Sequence, residues 1–237
     1  MVTIILPTYN ERENVRILIN EICKVFPENC EIIVVDDNSP DRTWEVAEKI
    51  SQRFPQVKVI RRIKEKGLTS AFRRGAKEAR GEIVCWMDCD LSMSPSVLKE
   101  MVKKIDGKDI VVASRFLPGG KDDRAPSYPY LFSRAINLLC QISLYHDFRD
   151  YTSGFIAMKR QVLENISLEG DYGEYFIYLI AQAKKKGYKI AEIPYVCKTR
   201  KYGATKTSPD PLSYARKGVK YILTVIKGAK LKWQKER

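Results

Sequence analysis

The sequence predicts an α/β protein with a mostly parallel sheet and helices on both of its faces. Three observations carry this reading. Short runs rich in β-branched residues alternate with segments of helical periodicity, the rhythm of βα units. Ile4-Ile5-Leu6 and Ile32-Ile33-Val34-Val35 are apolar without alternation, as strands covered on both faces are. With 237 residues, 44% of them hydrophobic, the chain is long enough to bury roughly 70–75% of its unfolded surface.

The elements follow in order. Val2–Leu6 is the first strand, with a helix near Glu13–Phe26 behind it. Glu31–Val35 is the second strand and ends in Asp36-Asp37-Asn38-Ser39-Pro40, followed by a helix from Arg42 to Arg53 with Asp41 as N-cap. Val57–Ile60 is the third strand, and Leu68–Ala79 is a helix behind Gly67. Glu82–Met87 is the fourth, running into Asp88-Cys89-Asp90; Pro95 opens a helix to about Ile105, and Asp109–Ala113 is the fifth strand. The rhythm then breaks. Phe116–Pro129, rich in Gly, Pro and charge, reads as a mobile loop without regular structure. Leu131–Tyr145 is an amphipathic helix, Phe155–Met158 a short strand, Glu174–Lys186 a helix and Lys189–Tyr195 the last strand. Pro209 and Pro211 precede a final helix, Leu212–Trp233, so the chain divides into a body, residues 1–206, and a basic amphipathic end, residues 207–237.

Composition narrows the function classes. No apolar run approaches the roughly 20 residues of a membrane span, and the N-terminus lacks the basic region of a signal peptide. The six cysteines include no C-x-x-C pair and His146 is the only histidine, which disfavours a zinc site or a disulfide scaffold and points to a reducing, cytoplasmic setting. The net charge is +13, of which Cys197–Arg237 carries +10. A basic end on a nearly neutral body suggests an anionic surface as partner, membrane or nucleic acid; the plainer alternative is a solubilising tail.

Chemistry is concentrated at strand ends. In doubly wound sheets, ligands sit outside the carboxyl ends of the strands. The first strand ends in Pro7-Thr8-Tyr9-Asn10-Glu11, the second in Asp36-Asp37, the fourth in Asp88-Cys89-Asp90. Five acidic residues converging on one edge are costly unless cations or donors neutralise them. Asp88 and Asp90 alternate in an extended segment, so both side chains point the same way and suit one hard cation, Mg²⁺ or Mn²⁺, shared with substrate phosphates. No G-x-G-x-x-G follows the first strand and no P-loop occurs, which disfavours nicotinamide dinucleotides and P-loop chemistry. A lone histidine disfavours a Ser-His-Asp or Cys-His nucleophile.

These segments, with Gly67-Leu68-Thr69-Ser70-Ala71, Ser114-Arg115-Phe116, Asp150-Tyr151-Thr152-Ser153-Gly154-Phe155, Glu192-Ile193-Pro194 and Arg200-Lys201-Tyr202-Gly203-Ala204-Thr205-Lys206, resemble inverting family 2 glycosyltransferases, of the dolichol-phosphate mannose synthase-like branch. The resemblance runs in family order from Val2 to about Lys206 and implies a GT-A fold, a nucleotide-sugar donor and a divalent metal. Residue by residue, it implies that Pro7, Tyr9, Glu11, Asp37 and Gly67, with Asp36 beside them, meet the nucleotide. Asp88 and Asp90 hold the metal, and Arg115, Arg200 and Lys206 meet phosphates of donor or acceptor. Ser92 stands where the mannose synthases usually carry Gln, and Tyr178 where an acidic residue is common, which leaves Glu174 as the substitute contact to the donor sugar.

A lipid-phosphate acceptor, already an anion, needs no strong general base; a hydroxyl acceptor needs one, and Asp150 or Glu174 are the candidates. The expected partners are a nucleotide sugar, a lipid phosphate and an anionic membrane surface on the cytoplasmic side. No nucleic acid is expected, and homo-oligomer formation is left open. The membrane contact is expected from Val219, Ile222, Leu223, Ile226, Ala229 and Trp233, flanked by lysines, together with the apolar stripe of Leu131–Tyr145. The rivals are transfer to a glycan or protein hydroxyl, nucleotidyl transfer, and a non-catalytic nucleic-acid binder that uses the basic end.

Overall fold

The computed structural model describes residues 1–204 and 211–234. In chain order its elements are β1 (Val2–Thr8), α1 (Arg12–Val25), β2 (Cys30–Asp36), α2 (Thr43–Ser51), β3 (Val57–Arg61), α3 (Leu68–Glu78), β4 (Ile83–Trp86), α4 (Pro95–Lys103), β5 (Ile110–Ser114), β6 (Lys121–Asp122), α5 (Tyr128–Ser143), β7 (Ile156–Lys159), α6 (Arg160–Asn165), α7 (Tyr175–Lys185), β8 (Ile190–Pro194), β9 (Val196–Cys197) and α8 (Pro211–Trp233).

Seven strands form one sheet in the order β3-β2-β1-β4-β7-β5-β8. All neighbours are parallel except β7, which runs antiparallel between β4 and β5. The change of rhythm after the fifth strand marks this place: the chain leaves β5, crosses the sheet's edge, and returns in the opposite direction. Side chains alternate between two cores. Ile4, Leu6, Ile32 and Val34 face α1, α2 and α4, packing with Leu18, Ile22, Leu98 and Met101. Ile5, Ile33, Val35, Val84 and Trp86 face the other way, onto Phe72 of α3 and Tyr175, Phe176 and Leu179 of α7. Burial on both faces is why these strands lack a polar alternation.

Two expectations need correction, and one element was not read. Asp41 is not the N-cap of α2: Arg42 holds that position in a left-handed conformation (φ 60°), and Asp41 Oδ1 accepts the Thr43 N–H at 2.9 Å from one residue further out. The segment 116–129 does contain regular structure. Lys121–Asp122 pairs in parallel with Val196–Cys197, Asp122 is buried, and α5 begins at Tyr128 with Pro129 in its first turn, where a missing N–H costs nothing. Finally, α6 is a helix of six residues, too short for its periodicity to be read.

Candidate active site

The strands at the sheet's centre deliver their C-terminal residues to one edge, and a cavity of about 620 Å³ opens there. Pro7, Tyr9, Glu11, Asp37, Gly67, Asp88, Asp90, Arg115 and Arg200 all line it. Asp36 does not. It is fully buried beneath the floor, where one oxygen takes the Thr8 hydroxyl (2.8 Å) and the Ser39 hydroxyl (2.6 Å) and the other the Ser39 N–H (2.8 Å), so it holds the turn after β2 instead of meeting a ligand.

Tyr9, Glu11, Asp37 and Gly67 line one part of the cavity, with Lys66 Nζ 5.7 Å from the Tyr9 ring centroid. Gly67 sits at the N-cap of α3 with φ +119°, a conformation that residues with a Cβ rarely adopt. From there its N–H reaches Asp37 Oδ2 at 2.7 Å. Burial pushes the Asp37 carboxyl above its ordinary value, opposed by that N–H and by the buried Arg62 guanidinium. Glu11 is held by a two-pronged bond from Arg200, Nη2 to Oε1 and Nη1 to Oε2, both at 2.7 Å. Arg200 Nη2 also lies 3.7 Å from Asp90 Oδ2. Its segment crosses the turn after β4, with the Lys198 N–H on Ser92 O (3.0 Å) and the Lys201 N–H on Asp90 O (3.3 Å). Cationic side chains thus answer the acidic edge that the sequence predicts.

Asp88 and Asp90 line the cavity as a pair. Asp88 exposes its side chain into the cavity, and enclosure there, then the charge of Asp90, pushes its carboxyl up to about 7. Asp90 Oδ1 accepts the Ser92 N–H at 3.0 Å, so Ser92 orients the pair through its backbone. A carboxylate whose proton affinity is raised by enclosure and a neighbouring charge is relieved by a hard cation, and an all-oxygen donor set fits Mg²⁺ or Mn²⁺. Among the described residues no three His, Cys, Asp or Glu groups converge as a metal cage. The pair would hold such an ion only with oxygens from ligand or solvent.

Another part of the lining is cationic and aromatic: Arg115, Arg124, Phe132, Ser133, Tyr175, Lys217 and Tyr221. Arg115 is placed differently from the expectation of a phosphate ligand. Its guanidinium is buried and committed to Asp150 (Nε–Oδ2 2.9 Å, Nη2–Oδ1 2.7 Å), Thr152 Oγ1 (2.7 Å) and Asp122 (3.2 Å). Asp150, fully buried, is its counter-ion. Arg124 shares Asp122 and remains partly exposed. Glu174 is not a lining residue. It is buried at the start of α7, where Oε1 accepts the Asp171 N–H at 3.0 Å, while Oε2 has no partner among the described residues. Lys206 lies outside the described residues.

Arg124, Ser133, Tyr175 and Tyr221 carried no sequence signal of their own. Arg124 sits in a Pro-rich segment without periodicity, and only its spacing from Asp122 hints at the pair. Tyr175 is fixed by Trp86, whose Nε1–H donates to its hydroxyl at 2.8 Å.

α8 walls this part of the cavity. Tyr221 and Val225 are buried, and the Tyr221 ring meets Phe132 of α5 edge-on at 5.1 Å. Val219, Ile222, Leu223 and Ile226 face outward, as do Leu131, Leu138 and Ile142 of α5, while Ala229 is partly buried against the core. The lysines flanking the stripe turn towards the body: Lys220 Nζ is 2.7 Å from Asp171 Oδ2, Lys227 pairs with Glu169 and lies 4.2 Å from the Tyr178 ring centroid, and Lys217 lies 4.5 Å from the ring centroid of Tyr172.

Comparison with known proteins agrees with this geometry. Residues 3–167 match the family model Glycosyl transferase family 2. The chain is 41% identical over 209 residues to a dolichol-phosphate mannosyltransferase of Pyrococcus furiosus, covering 86% of this chain and 58% of that enzyme. It is 32% identical over 213 residues to a polyprenol monophosphomannose synthase of Mycolicibacterium smegmatis, covering 86% of this chain and 80% of that one. In fold it resembles glucosyl-3-phosphoglycerate synthase of Mycobacterium tuberculosis, solved with Mn²⁺, UDP and glucosyl-3-phosphoglycerate: the TM-score is 0.74 at 19% identity, over 97% of this chain and 80% of that one. The sheet is of the GT-A type, and the chain belongs to glycosyl transferase family 2.

Proposed function

We propose that the chain transfers a sugar with inversion from a nucleotide-diphosphate donor, GDP-mannose or a UDP-hexose, to a polyprenyl or dolichyl phosphate at a membrane surface. The observation that carries this reading is the set of groups gathered in one cavity: Tyr9, Glu11 and Asp37, which suit a nucleoside, the carboxylate pair Asp88 and Asp90, and the cations Arg124, Arg200 and Lys217. A donor bound there has its diphosphate at the pair, and an acceptor phosphate meets the remaining cations. The names of the two sequence relatives support the same donor and acceptor classes.

Mg²⁺ or Mn²⁺ held by Asp88 and Asp90 supplies charge neutralisation of the departing diphosphate. Arg200 adds a fixed charge beside the pair, and Glu11 holds its guanidinium in place. A hydroxyl acceptor fits less well. Asp150 is spent on Arg115 and Glu174 does not line the cavity, so neither expected base faces the reacting centre. A phosphate acceptor needs none.

The membrane contact is assigned to the outward apolar faces of α5 and α8, which flank the cavity on the cytoplasmic side of the bilayer. Among the described residues no helix is long and apolar enough to cross a membrane. The test is a donor-cleavage screen of GDP-mannose, UDP-glucose and UDP-GlcNAc with Mg²⁺ or Mn²⁺. One donor should be turned over, and Asp88→Ala and Asp90→Ala should each lower its turnover by about 10²-fold or more. Undiminished turnover of both variants in the presence of chelator contradicts the reading.

A further inference from the structure

The nucleoside part of the cavity is backed by a buried arginine that no ligand can reach. Arg62 is 5% exposed, at the C-terminal end of β3, and does not line the cavity. Its Nε–H donates to Asp37 Oδ1 at 2.7 Å, and one Nη2–H donates to the same oxygen. Nη2 also donates to Gly67 O at 2.9 Å, and Nη1 to Ser70 Oγ at 2.7 Å. Arg62 therefore joins the end of β2 to the first turn of α3, and both residues it holds, Asp37 and Gly67, face the cavity.

The acceptor count at Asp37 then decides what it offers. A carboxylate oxygen has two acceptor positions. Oδ1 spends both on Arg62. Oδ2 spends one on the Gly67 N–H and keeps one. We infer that Arg62 is a positioning residue for base selectivity: it leaves Asp37 a single acceptor, which takes a base with a ring N–H, as guanine and uracil have. Adenine and cytosine carry an acceptor nitrogen at the matching position. In the pose of guanine or uracil that nitrogen meets a second acceptor, and the neighbouring amino group reaches Asp37 only if the base shifts from that pose. The inference rests on the nucleotide-donor reading above. Arg62 acts only through Asp37 and Gly67, and lysine does not replace it, because a point charge cannot span Asp37 Oδ1, Gly67 O and Ser70 Oγ as the planar fork does.

The experiment is calorimetric titration of the full chain, with Mg²⁺, against GDP, UDP, ADP and CDP. It uses wild type, Arg62→Lys, Arg62→Met, Asp37→Asn and the double variant carrying Arg62→Met with Asp37→Asn. Wild type should bind GDP or UDP at least tenfold more tightly than ADP and CDP. Arg62→Lys and Arg62→Met should each weaken the preferred diphosphate at least tenfold and erode that preference. The double variant should bind no more weakly than Asp37→Asn alone, since both changes act through one carboxylate. If Arg62→Met alone does not fold, the double variant is compared with Asp37→Asn alone: equal affinity supports the inference, and a further loss overturns it. Arg62 variants with wild-type affinity and preference overturn the inference, as do additive losses in the double variant. Wild type that binds all four diphosphates alike overturns it while leaving the donor reading standing. Wild type that binds none of them overturns the donor reading and this inference together.

Discussion

Arg115 and Asp150 form a buried fork-to-fork pair: Nε lies 2.9 Å from Oδ2, Nη2 lies 2.7 Å from Oδ1, and the Arg115 backbone N–H closes on Oδ2 at 2.9 Å. The charge of Asp150 keeps the guanidinium protonated in spite of its burial. The pair ties the end of β5 to the turn before β7, at the wall of the cavity, and Asp122 and Arg124 extend it.

Asp150→Asn is therefore expected to act on stability. Removing one partner of a buried pair costs about 3–5 kcal/mol, which for a chain of this size lowers Tm by roughly 10 °C. Thermal denaturation checks the loss, and the pH profile of kcat in the remaining folded protein should keep its acidic limb. Wild-type Tm with a lost acidic limb would identify Asp150 as a catalytic base after all.

Glu192 gives the fold a pH dependence. It accepts the N–H groups of Arg149 (2.8 Å) and Asp150 (3.1 Å), and burial pushes its carboxyl from 4.5 up to about 7. The folded protein thus retains a proton that the unfolded chain releases across that range. This contribution is complete below about pH 4.5 and is lost as the pH rises to about 7. Glu192→Gln should flatten the dependence, so that its Tm relative to wild type improves by a few degrees between pH 5 and pH 8. An unchanged difference between the two proteins across that range contradicts the assignment.

The outward face of α8 separates two contributions to membrane binding. Lys220 and Lys227 pair with Asp171 and Glu169, so the apolar residues rather than these cations are free to meet a bilayer. Replacing Ile222, Leu223 and Ile226 together by Ser should abolish co-flotation with anionic liposomes while shifting Tm by no more than about 2 °C, because these side chains are already exposed. Co-flotation retained by this variant and lost on raising salt would assign binding to charge instead.

How much of this was legible in the sequence follows from what each signal depends on. The apolar runs Ile4–Leu6 and Ile32–Val35 and the residues after them fix strands and strand ends locally, so the central sheet and the placement of Asp37, Asp88 and Asp90 on one edge could be read directly. The pairing of Arg200 with Glu11 could not be read, because the two residues lie 189 positions apart. The antiparallel insertion of β7 could not be read, since pairing partners depend on the whole sheet. The commitment of Arg115 to Asp150 could not be read for a related reason: an arginine after a strand looks the same whether it meets a phosphate or a carboxylate 35 residues away. Arg62 was invisible until its three partners, distributed over β2 and the start of α3, came together. Asp36 and Asp37 are neighbours in sequence, yet one lies below the cavity floor and the other faces the cavity, because successive residues of a strand point to opposite sides.

The central claim, transfer to a lipid phosphate without a protein base, is tested most directly by offering one acceptor in two forms. Purified chain in liposomes, with labelled GDP-mannose or the UDP-hexose found in the screen and Mg²⁺ or Mn²⁺, is given either a polyprenyl phosphate or the corresponding polyprenol. The account predicts labelled lipid only from the phosphate, with inverted anomeric configuration. Comparable transfer to the alcohol, or product of retained configuration, contradicts it.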